Sequence, residues 1–281
     1  MKKIIILGAQ GTLGQELENI FSESYEVTAW DKTDLDVTSD EAPQRISEKN
    51  PDIIINAIGY NAVDPPEIDD SAKSIAYLLN SEVPEKLSKI AKNIDATFIH
   101  YSTDYVFDGE KKEGYTEDDK PNPLTHYGKS KYEGEQKIQN VGGKYYLIRL
   151  SRLFGTKGIS ESSKKSFVEI MRGEIDKSEL MVKNEEFSCP TYAPDLAKLT
   201  KYIIENEKPW GIYHGANSGS CTWYGWAQEI FKDLEKGPKL IEGHAKDYNN
   251  PGKRPAFSEL KNTKLPPQRP WQEALKEFLS K

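Results

Sequence analysis

The stretch from Lys3 to Gly14, KIIILGAQGTLG, predicts how the N-terminal part of this chain folds. Residues 3–7 are mostly apolar, which is typical of a strand buried on both faces of a parallel sheet. Glycines follow at positions 8, 11 and 14, and a helix is predicted from about residue 12 to residue 22. Such glycines allow a tight turn, after which the first helical amides face a pyrophosphate. The spacing is G-x-x-G-x-x-G rather than G-x-G-x-x-G, and a purely structural turn is the alternative.

Short apolar strands alternate with helices along the first 150 residues. We predict strands at 3–7, 25–30, 52–56, 96–101 and 144–150, and helices at 12–22, 40–49, 71–93 and 127–140. This alternation indicates an α/β fold, a Rossmann-type doubly wound parallel sheet with right-handed crossovers.

The pattern changes after residue 150, where apolar runs become shorter and Gly, Pro and aromatic residues denser. We therefore predict a dinucleotide-binding domain at 1–150 and a smaller C-terminal substrate-binding lobe at 151–281, interleaved with it. Within this lobe, residues 245–270 are predicted as surface loops and residues 271–279 as a final helix.

Composition limits the class of protein. The 281 residues are 36% hydrophobic and 30% charged, which is typical of a globular chain, and the net charge of −7 argues against nucleic acid as a partner. Cys189 and Cys221 lie far apart and fit no metal pattern, so we expect free thiols in a reducing cytoplasm. The first apolar run is too short for a signal sequence or a membrane span, so no membrane partner is expected.

Acidic residues after the second predicted strand bear on the cofactor. Asp31 ends that strand, where a carboxylate accepts hydrogen bonds from the adenosine ribose and repels a 2′-phosphate. This favours NADH, but the positive charge of Lys32 offsets the repulsion of a 2′-phosphate. Both NADPH and NADH therefore remain candidate cofactors. Asp36 and Val37 follow closely and are expected to flank the adenine, with a helix cap as the alternative role for Asp36.

Tyr127 and Lys131 are four residues apart and therefore share one face of a predicted helix. A lysine ammonium beside a phenol lowers the pKa of the tyrosine, so that Tyr127 can protonate a carbonyl oxygen as a general acid. Ser102 and Thr103 end the fourth predicted strand, and either hydroxyl could bond that oxygen. A Y-x-x-x-K pattern alone is common on surface helices, so the prediction depends on all three features together.

These elements together resemble the extended short-chain dehydrogenase/reductases and, within them, the dTDP-4-dehydrorhamnose reductase family. The resemblance covers nearly the whole chain, and its most specific part is the stretch STDYVFDG at 102–109. The other matching segments are NAIGYNAVD at 56–64, Tyr127 with Lys131, CPTY at 189–192, GIYH at 211–214, the pair Arg254-Pro255 and WQEAL at 271–275.

The resemblance implies an NADPH- or NADH-dependent reduction of the 4-keto group of a dTDP-linked keto-sugar, dTDP-4-dehydro-L-rhamnose. It implies that Thr103, Tyr127 and Lys131 are catalytic and that Asp104 and Tyr105 hold the sugar. The cofactor contacts that it implies are Gly8, Gln10, Gly11, Thr12 and Leu13 at the pyrophosphate, Asp36 and Val37 at the adenosine, Ala57 and Gly59 along the third strand, and Asn80 as a support on the long helix, together with Tyr127 and Lys131.

The chain departs from the family at Arg152, where a tryptophan usually packs on the substrate. A guanidinium can stack on a ring or bind a diphosphate. Arg254, in a Pro-rich loop, is predicted to reach the diphosphate as well, with a solvated loop arginine as the alternative. Some family members form homodimers around magnesium; Glu16 matches one position of that site but Pro194 stands at a usually acidic one, so no metal is expected.

Two alternatives to the main function stay open. Arg152 leaves room for a reductase or epimerase of another nucleotide sugar. The regulatory β subunit of methionine adenosyltransferase also resembles this family, so a non-catalytic regulatory subunit is the other alternative. The presence of Thr103, Tyr127 and Lys131 favours an enzyme.

Overall fold

The structure is a computed structural model, and it describes residues 1–160 and 163–281. In chain order, its strands are β1 (Lys3–Leu7), β2 (Glu26–Trp30), β3 (Ile53–Asn56), β4 (Thr97–Thr103), β5 (Tyr145–Leu150), β6 (Leu153–Phe154), β7 (Glu179–Lys183), β8 (Thr191–Tyr192), β9 (Gly211–His214) and β10 (Lys239–Gly243). The α-helices are α1 (Thr12–Phe21), α2 (Ala42–Glu48), α3 (Pro65–Ile68), α4 (Asp70–Tyr77), α5 (Val83–Asn93), α6 (His126–Val141), α7 (Phe167–Gly173), α8 (Ala193–Glu205), α9 (Trp223–Asp233) and α10 (Trp271–Leu279).

Six parallel strands form the central sheet in the order β2-β1-β3-β4-β5-β9. The isoleucine runs of β1 and β3 pair in register, because both strands are covered on two faces and neither needs a polar side. The predicted doubly wound α/β sheet is confirmed. β9, which is four residues long, completes the sheet beside β5.

Helices cover both faces of this sheet. On one face, Ile4 and Ile6 of β1 pack with α1 and α8. On the other face, Ile5 and Leu7 pack with α2 and α5. Alternate side chains of each strand point to opposite faces, so one apolar strand contributes to both cores. The sheet is thereby held rigidly, which fixes the positions of the loops at its carboxyl edge.

The long helical pattern predicted at 71–93 is divided in the structure. α4 is followed by a π-helical turn, Leu78–Glu82, and then by α5. A π turn adds one residue to the helical turn and is frequently found at functional sites. Here it carries Asn80, which is fully buried.

The second half of the chain adds its own core around Trp226 and Trp271, beside the two-stranded sheets β7–β10 and β6–β8. The same half returns β9 and α8 to the central sheet. The predicted boundary at residue 150 stays a prediction.

The expectation that residues 245–270 are surface loops is wrong for their second part. Ser258, Leu260 and Leu265 are buried, and Leu260 forms a bridge with Tyr115. The segment is rich in polar residues because it supplies hydrogen bonds to the interior.

Cys189 and Cys221 are both free, as predicted, and the structure shows that both are buried. Within residues 1–160 and 163–281, no helix is long and apolar enough to cross a membrane.

Candidate active site

The candidate site lies at the carboxyl edge of the central sheet. The chain runs from β1 outward to β2 and then crosses back to β3, so the strand order reverses beside β1. In open α/β sheets, ligands bind outside the carboxyl ends of the strands at this point. The glycine turn follows β1, Ala57 and Gly59 follow β3, and Thr103 ends β4.

The glycine turn has the geometry that a pyrophosphate requires. Gly8 has φ of 82°, a left-handed conformation that favours glycine. A Cβ on Gly14 would overlap the carbonyl oxygen of Gly8, so glycine lets α1 pack directly on the turn. The N-cap of α1 is Gly11, which offers no side-chain hydrogen bond to the first helical amides. These amides and the positive end of the helix dipole fit a bound pyrophosphate.

A segment from the second half of the chain lies against this turn. The amide of Gly158 donates to the hydroxyl of Thr12 at 3.3 Å, and the amide of Ser160 donates to the carbonyl of Gln10 at 3.2 Å. A Cβ on Gly158 would overlap that same carbonyl. The contact was not predicted, because nothing in the sequence around Gly158 marks it as a partner of the turn.

Asp31 is bonded to the glycine turn rather than left free. One carboxylate oxygen accepts from the amide of Gln10 at 3.1 Å, and the other accepts from the amide of Lys32 at 2.8 Å. The carboxylate therefore connects the end of β2 with the turn after β1. Its predicted contact with the adenosine ribose stays a prediction.

Asp36 forms a local turn. Its carboxylate accepts from the amide and the hydroxyl of Thr38, at 2.9 and 2.6 Å, and these bonds lower the pKa of Asp36. It does not cap α2, whose N-cap is Glu41. Val37 is buried in the core beside α2. The predicted adenosine contacts of both residues stay predictions.

Thr103, Tyr127 and Lys131 come together between β4 and α6. The hydroxyl of Thr125 accepts from the amide of Gly128 at 3.0 Å and caps α6, which places Tyr127 in the first turn and Lys131 one turn later. The phenol of Tyr127 is hydrogen-bonded with Thr103, and all three side chains are buried. Of the two candidate hydroxyls, Thr103 is therefore the one that meets the phenol.

The protonation of Tyr127 and Lys131 is governed by burial. Burial raises the pKa of Tyr127 to about 12, although the hydrogen bond with Thr103 opposes this. Burial also lowers the pKa of Lys131 to about 8, with Glu135 opposing. The expectation that Lys131 lowers the pKa of Tyr127 is wrong, because burial dominates that pKa and the ammonium donates instead to the carbonyl of Tyr101 at 3.3 Å. Tyr127 thus holds its proton at neutral pH, as a proton donor must.

Asn80 connects three parts of the site. Its amide nitrogen donates to the carbonyl of Tyr60 and to the hydroxyl of Ser130, both at 3.0 Å. Its amide oxygen accepts from the amide of Tyr60 at 2.8 Å. A Cβ on Gly59 would lie 2.6 Å from Lys131 Nζ, so the loop after β3 fits closely against the ammonium. Asn80 holds that loop in place, and its predicted role in cofactor binding stays a prediction.

Asp104 does not face open solvent. Its carboxylate accepts from the hydroxyls of Ser258, Ser188 and Thr103 at 2.6, 2.8 and 3.1 Å. Burial raises the pKa of Asp104, and the serine hydrogen bonds oppose this. Tyr105 beside it is partly exposed, with its ring edge-on to Tyr127 at 5.5 Å between centroids. Of the pair predicted to hold the sugar, Tyr105 is thus the more accessible.

Arg152 packs on an aromatic ring from the second half of the chain. Its guanidinium lies 4.0 Å from the ring centroid of Trp223 and donates to the carbonyls of Cys221 and Glu186, each at 2.7 Å. The indole nitrogen of Trp223 in turn donates to the Glu186 carboxylate at 2.9 Å. The guanidinium thus stacks on a ring of this chain, whereas the predicted partner is the substrate. Its contact with substrate stays a prediction.

Arg254 forms a bidentate ion pair with Asp64, at 2.5 and 2.6 Å. Asp64 lies in the loop after β3 and Arg254 in the C-terminal loop, so the pair joins the two halves of the chain. Arg254 is not a solvated loop arginine, because its side chain is only 15% exposed. Burial raises the pKa of Tyr105, and the charges of Arg254 and Arg152 oppose this, so both guanidinium groups lie near its phenol.

The sequence analysis did not predict three of these contacts: the bonds from Ser188 and Ser258 to Asp104, and the ion pair of Asp64 with Arg254. Ser188 directly precedes the quoted CPTY segment and Asp64 ends the quoted NAIGYNAVD segment, so two of the three lie at matching segments. Ser258 carries no such signal. Among the described residues, no group of His, Cys, Asp and Glu is arranged to hold a metal ion.

Comparison with known proteins places this geometry among nucleotide-sugar enzymes. The family model of the RmlD substrate binding domain matches residues 1–281. The chain is 34% identical to the dTDP-4-dehydrorhamnose reductase of Aggregatibacter actinomycetemcomitans, over 98% of each chain. It is 35% identical to a probable dTDP-4,6-dihydroxy-2-methyloxan-3-one 4-ketoreductase of Streptomyces antibioticus, over 97% of this chain and 93% of the other. The crystal structure of dTDP-4-dehydrorhamnose reductase from Bacillus anthracis in complex with NADP superposes with a TM-score of 0.92 at 31% identity, over 100% of this chain and 99% of that one.

Proposed function

Since this chain belongs to the RmlD substrate binding domain family, we propose that it reduces the 4-keto group of dTDP-4-dehydro-L-rhamnose to give dTDP-L-rhamnose. The single observation that carries the proposal is the grouping of Thr103, Tyr127 and Lys131 at the carboxyl end of β4. A buried phenol that keeps its proton, a hydroxyl bonded to it and a nearby ammonium are the groups that a carbonyl reduction needs.

The residues of this chain would act on the proton side of the reaction. Tyr127 donates its proton to the carbonyl oxygen, and Thr103 orients the phenol and bonds the same oxygen. Lys131 supplies positive charge that stabilises the phenolate left behind. When bound, the nicotinamide cofactor, NADPH or NADH, supplies the hydride.

The cofactor would lie along the carboxyl edge of β1, β2 and β3. The glycine turn fits its pyrophosphate, and the loop after β3 leads from there to Lys131. The residues assigned to cofactor binding are Gly8, Gln10, Gly11, Thr12, Leu13, Asp31, Asp36, Val37, Ala57, Gly59, Asn80, Tyr127 and Lys131.

The substrate would enter from the side of the second lobe. Tyr105 faces the sugar, and Arg254 binds the diphosphate with its planar fork. Asp104 and Arg152 act mainly through their neighbours, since hydrogen bonds within the protein already engage their charged groups.

The test is loss of reduced-nicotinamide absorbance with dTDP-4-dehydro-L-rhamnose, with NADPH and NADH in parallel. Wild-type protein should oxidise the cofactor, and Tyr127→Phe should reduce kcat by about 100-fold or more, since the proton donor is gone. Tyr145→Phe is the matched control, because Tyr145 begins β5, at the opposite edge of the sheet. Equal activity of Tyr127→Phe and wild type would refute the assignment.

A reductase of another dTDP-linked hexulose is the second candidate. The Streptomyces antibioticus relative is named for such a 4-ketoreductase, and Arg152 replaces the tryptophan expected beside the sugar. A panel of nucleotide keto-sugars separates the two. Cofactor binding without turnover of any of them would favour the regulatory-subunit alternative.

We also propose a cellular location, a domain division and an assembly for this protein. The substrate and cofactor of such a reductase are cytoplasmic metabolites, so we place the enzyme in the cytoplasm. For the domains, we propose a cofactor domain at 1–150 and a substrate lobe at 151–281, because the glycine turn lies in the first part and Arg254 in the second. A homodimer is the assembly to test first by light scattering.

A further inference from the structure

Residues 155–160, which we call the 155–160 segment, run from the core of the second half of the chain to the glycine turn. The segment follows Phe154 of β6, which is fully buried and lies edge-on to Trp226 at 5.5 Å between ring centroids. A Cβ on Gly155 would lie 3.1 Å from the Cβ of Ala193, at the start of α8. The start of the segment is therefore fixed by packing.

The segment meets the glycine turn backbone to backbone. A Cβ on Gly158 would lie 2.7 Å from the carbonyl carbon of Gly11 and would overlap the carbonyl oxygen of Gln10. The amide of Ser160 donates to that oxygen at 3.2 Å. An approach this close is possible because Gly158 has no side chain. The 155–160 segment thus lines one side of the turn.

Most backbone donors of the turn are already used within the protein. The amides at positions 8 and 9 donate to the carbonyl of Trp30 at 2.9 and 3.1 Å, and the amide at position 11 donates to the carbonyl of Gly8 at 3.1 Å. The amide at position 10 donates to the carboxylate of Asp31. The donors left for a diphosphate at the turn are the first amides of α1 and the hydroxyl of Thr12.

Gly158 orients this hydroxyl. Its amide donates to Thr12 Oγ1 at 3.3 Å. Because an amide can only donate, the hydroxyl is the acceptor in this bond, and its own hydrogen is left for another acceptor. Diphosphate oxygens accept hydrogen bonds, so a hydroxyl held in this way is matched to them.

A diphosphate also requires positive charge, which the turn does not supply. Residues 8–14, GAQGTLG, include no Lys, Arg or His. The carboxylate of Asp31, which is bonded to the turn, adds negative charge instead. Lys157 directly precedes Gly158 and is exposed. Its long, flexible side chain can reach a ligand at the turn, because the next residue along the chain already contacts Thr12.

We propose that the 155–160 segment completes the diphosphate site of the nicotinamide cofactor, with the Gly158 amide orienting the Thr12 hydroxyl and the Lys157 ammonium binding the diphosphate. The inference rests on the proposed function, because it takes a nicotinamide cofactor as the ligand. Gly158 is a positioning residue, since it acts through Thr12. Cofactor binding then draws on residues from both sides of position 150.

Lys157→Met tests the charge in a binding experiment that needs no turnover. ADP contains the adenosine and the diphosphate of the cofactor, whereas adenosine lacks the charged group. We expect the Kd of ADP to rise about 5- to 20-fold and that of adenosine to stay unchanged. The rise should become smaller at high ionic strength. Lys3→Met is the matched control, because Lys3 is an exposed lysine at the first residue of β1, at the opposite edge of the sheet.

NADPH and NADH separate the diphosphate from the 2′-phosphate as the group that Lys157 binds. Both cofactors contain the diphosphate, so Lys157→Met should raise the Kd of both by the same factor. Titration followed by nicotinamide fluorescence measures the two values. A rise for NADPH alone would place Lys157 at the 2′-phosphate and overturn its assignment to the diphosphate.

A double-mutant cycle tests whether Gly158 acts through Thr12. Gly158→Ala and Thr12→Val should each raise the Kd of ADP about 10-fold, and the double variant should bind little worse than Thr12→Val alone, because both changes remove the same oriented hydroxyl. Effects that multiply would mean that Gly158 has only a structural role. Gly173→Ala is the matched control, since a Cβ there would meet nothing within 4 Å.

Two further results would overturn the proposal. One is a Kd of ADP for Lys157→Met that equals that of Lys3→Met. The other is an equal rise in Kd for ADP and for adenosine, because the diphosphate would then play no part. Failure of the proposed function is a different result: a wild-type protein that binds ADP and both cofactors but reduces no keto-sugar refutes the reductase and leaves this site standing. A wild-type protein that binds none of them refutes both.

Discussion

Asp104 and Ser258 are 154 residues apart in the chain, and the serine hydroxyl donates to the carboxylate at 2.6 Å. Ser188 donates to the same oxygen at 2.8 Å. Burial raises the pKa of Asp104, and the bonds from Ser258 and then Ser188 oppose that rise. One buried carboxylate therefore connects the hydroxyl of Thr103 with two segments from the second half of the chain.

Ser258→Ala should lower the free energy of unfolding by about 1–3 kcal/mol, because a buried carboxylate loses a donor. The change should also depend on pH. The native pKa of Asp104 lies above its ordinary 3.8, so the native state takes up this proton more readily than the unfolded chain. Stability from this group therefore falls as pH rises from 3.8 through the native pKa and is constant above it. Loss of the Ser258 donor should raise the native pKa of Asp104 further, so the free energy of unfolding of the variant should continue to fall up to a higher pH.

Urea unfolding at several pH values measures both effects. Ser280→Ala is the control, since its hydroxyl only donates to the carbonyl of Glu277 at the exposed end of α10. A loss for Ser258→Ala that is the same at every pH would mean that the serine acts by packing alone.

Lys131→Met should make the ligand-free protein more stable at neutral pH while abolishing activity. Burial lowers the native pKa of Lys131 from 10.5 to about 8. Below that pH the folded protein is therefore destabilised by a buried charge. We expect the variant to be about 1–3 kcal/mol more stable at pH 7. Between about 8 and 10.5 the unfolded wild-type chain binds more protons than the native one, so wild-type stability rises with pH there.

The advantage of Lys131→Met should accordingly shrink as pH rises through that window. Thermal unfolding across the range measures it, with Lys129→Met, a neighbouring exposed lysine of α6, as the control. A variant less stable than wild type at pH 7 would mean that the ammonium makes a net favourable contribution to folding.

The sheet and the position of the cofactor turn could be predicted because local sequence encodes them. Ile4, Ile5 and Ile6 specify a strand buried on both faces, and Gly8 and Gly14 mark the turn that the backbone requires. The four-residue spacing of Tyr127 and Lys131 fixes their common helix face. Each of these signals depends on residues that are neighbours in the chain.

The hydrogen bonds to Asp104 and the pKa of Tyr127 could not be predicted, because they depend on contacts between residues far apart in the chain. Ser258 looks like any loop serine until the chain brings it against Asp104. The direction of the Tyr127 pKa shift was wrong for a similar reason: helix spacing indicates a neighbour, but only burial tells how much solvation the phenol has lost.

Asp64→Asn should tighten binding of the nucleotide part of the substrate. The Asp64 carboxylate accepts hydrogen bonds from both Nη1 and Nη2 of Arg254. A diphosphate would compete for the same two donors. Asp64 is 32% exposed, so its carboxylate can return to water when a diphosphate displaces it. We expect the Kd for dTDP to fall about 3- to 10-fold, and Arg254→Lys to raise it, since an ammonium has no planar fork.

Calorimetric titration with dTDP measures both variants. Asp95→Asn is the control, because Asp95 forms an exposed ion pair with Lys144. Weaker binding by Asp64→Asn would show that Asp64 holds Arg254 in its binding position instead of competing with the ligand.

Gly59→Ala should reduce activity much more than stability. The added Cβ would lie 2.6 Å from Lys131 Nζ and 3.3 Å from Asn80 Oδ1. The lysine side chain is flexible and can move, so the fold survives, but the ammonium leaves its place near Tyr127. We expect kcat to fall about 10- to 100-fold with a change in unfolding free energy of about 1 kcal/mol.

Gly173→Ala provides the matched control, because a Cβ there would meet nothing within 4 Å. It should keep wild-type kinetics and equal or raise the unfolding free energy, since alanine restricts the unfolded chain. Steady-state kinetics and urea unfolding on the two variants separate the effects. If Gly59→Ala loses stability in proportion to activity, the close fit at Gly59 serves the loop after β3 as a whole; if it loses activity alone, the position of the Lys131 ammonium is what the glycine protects.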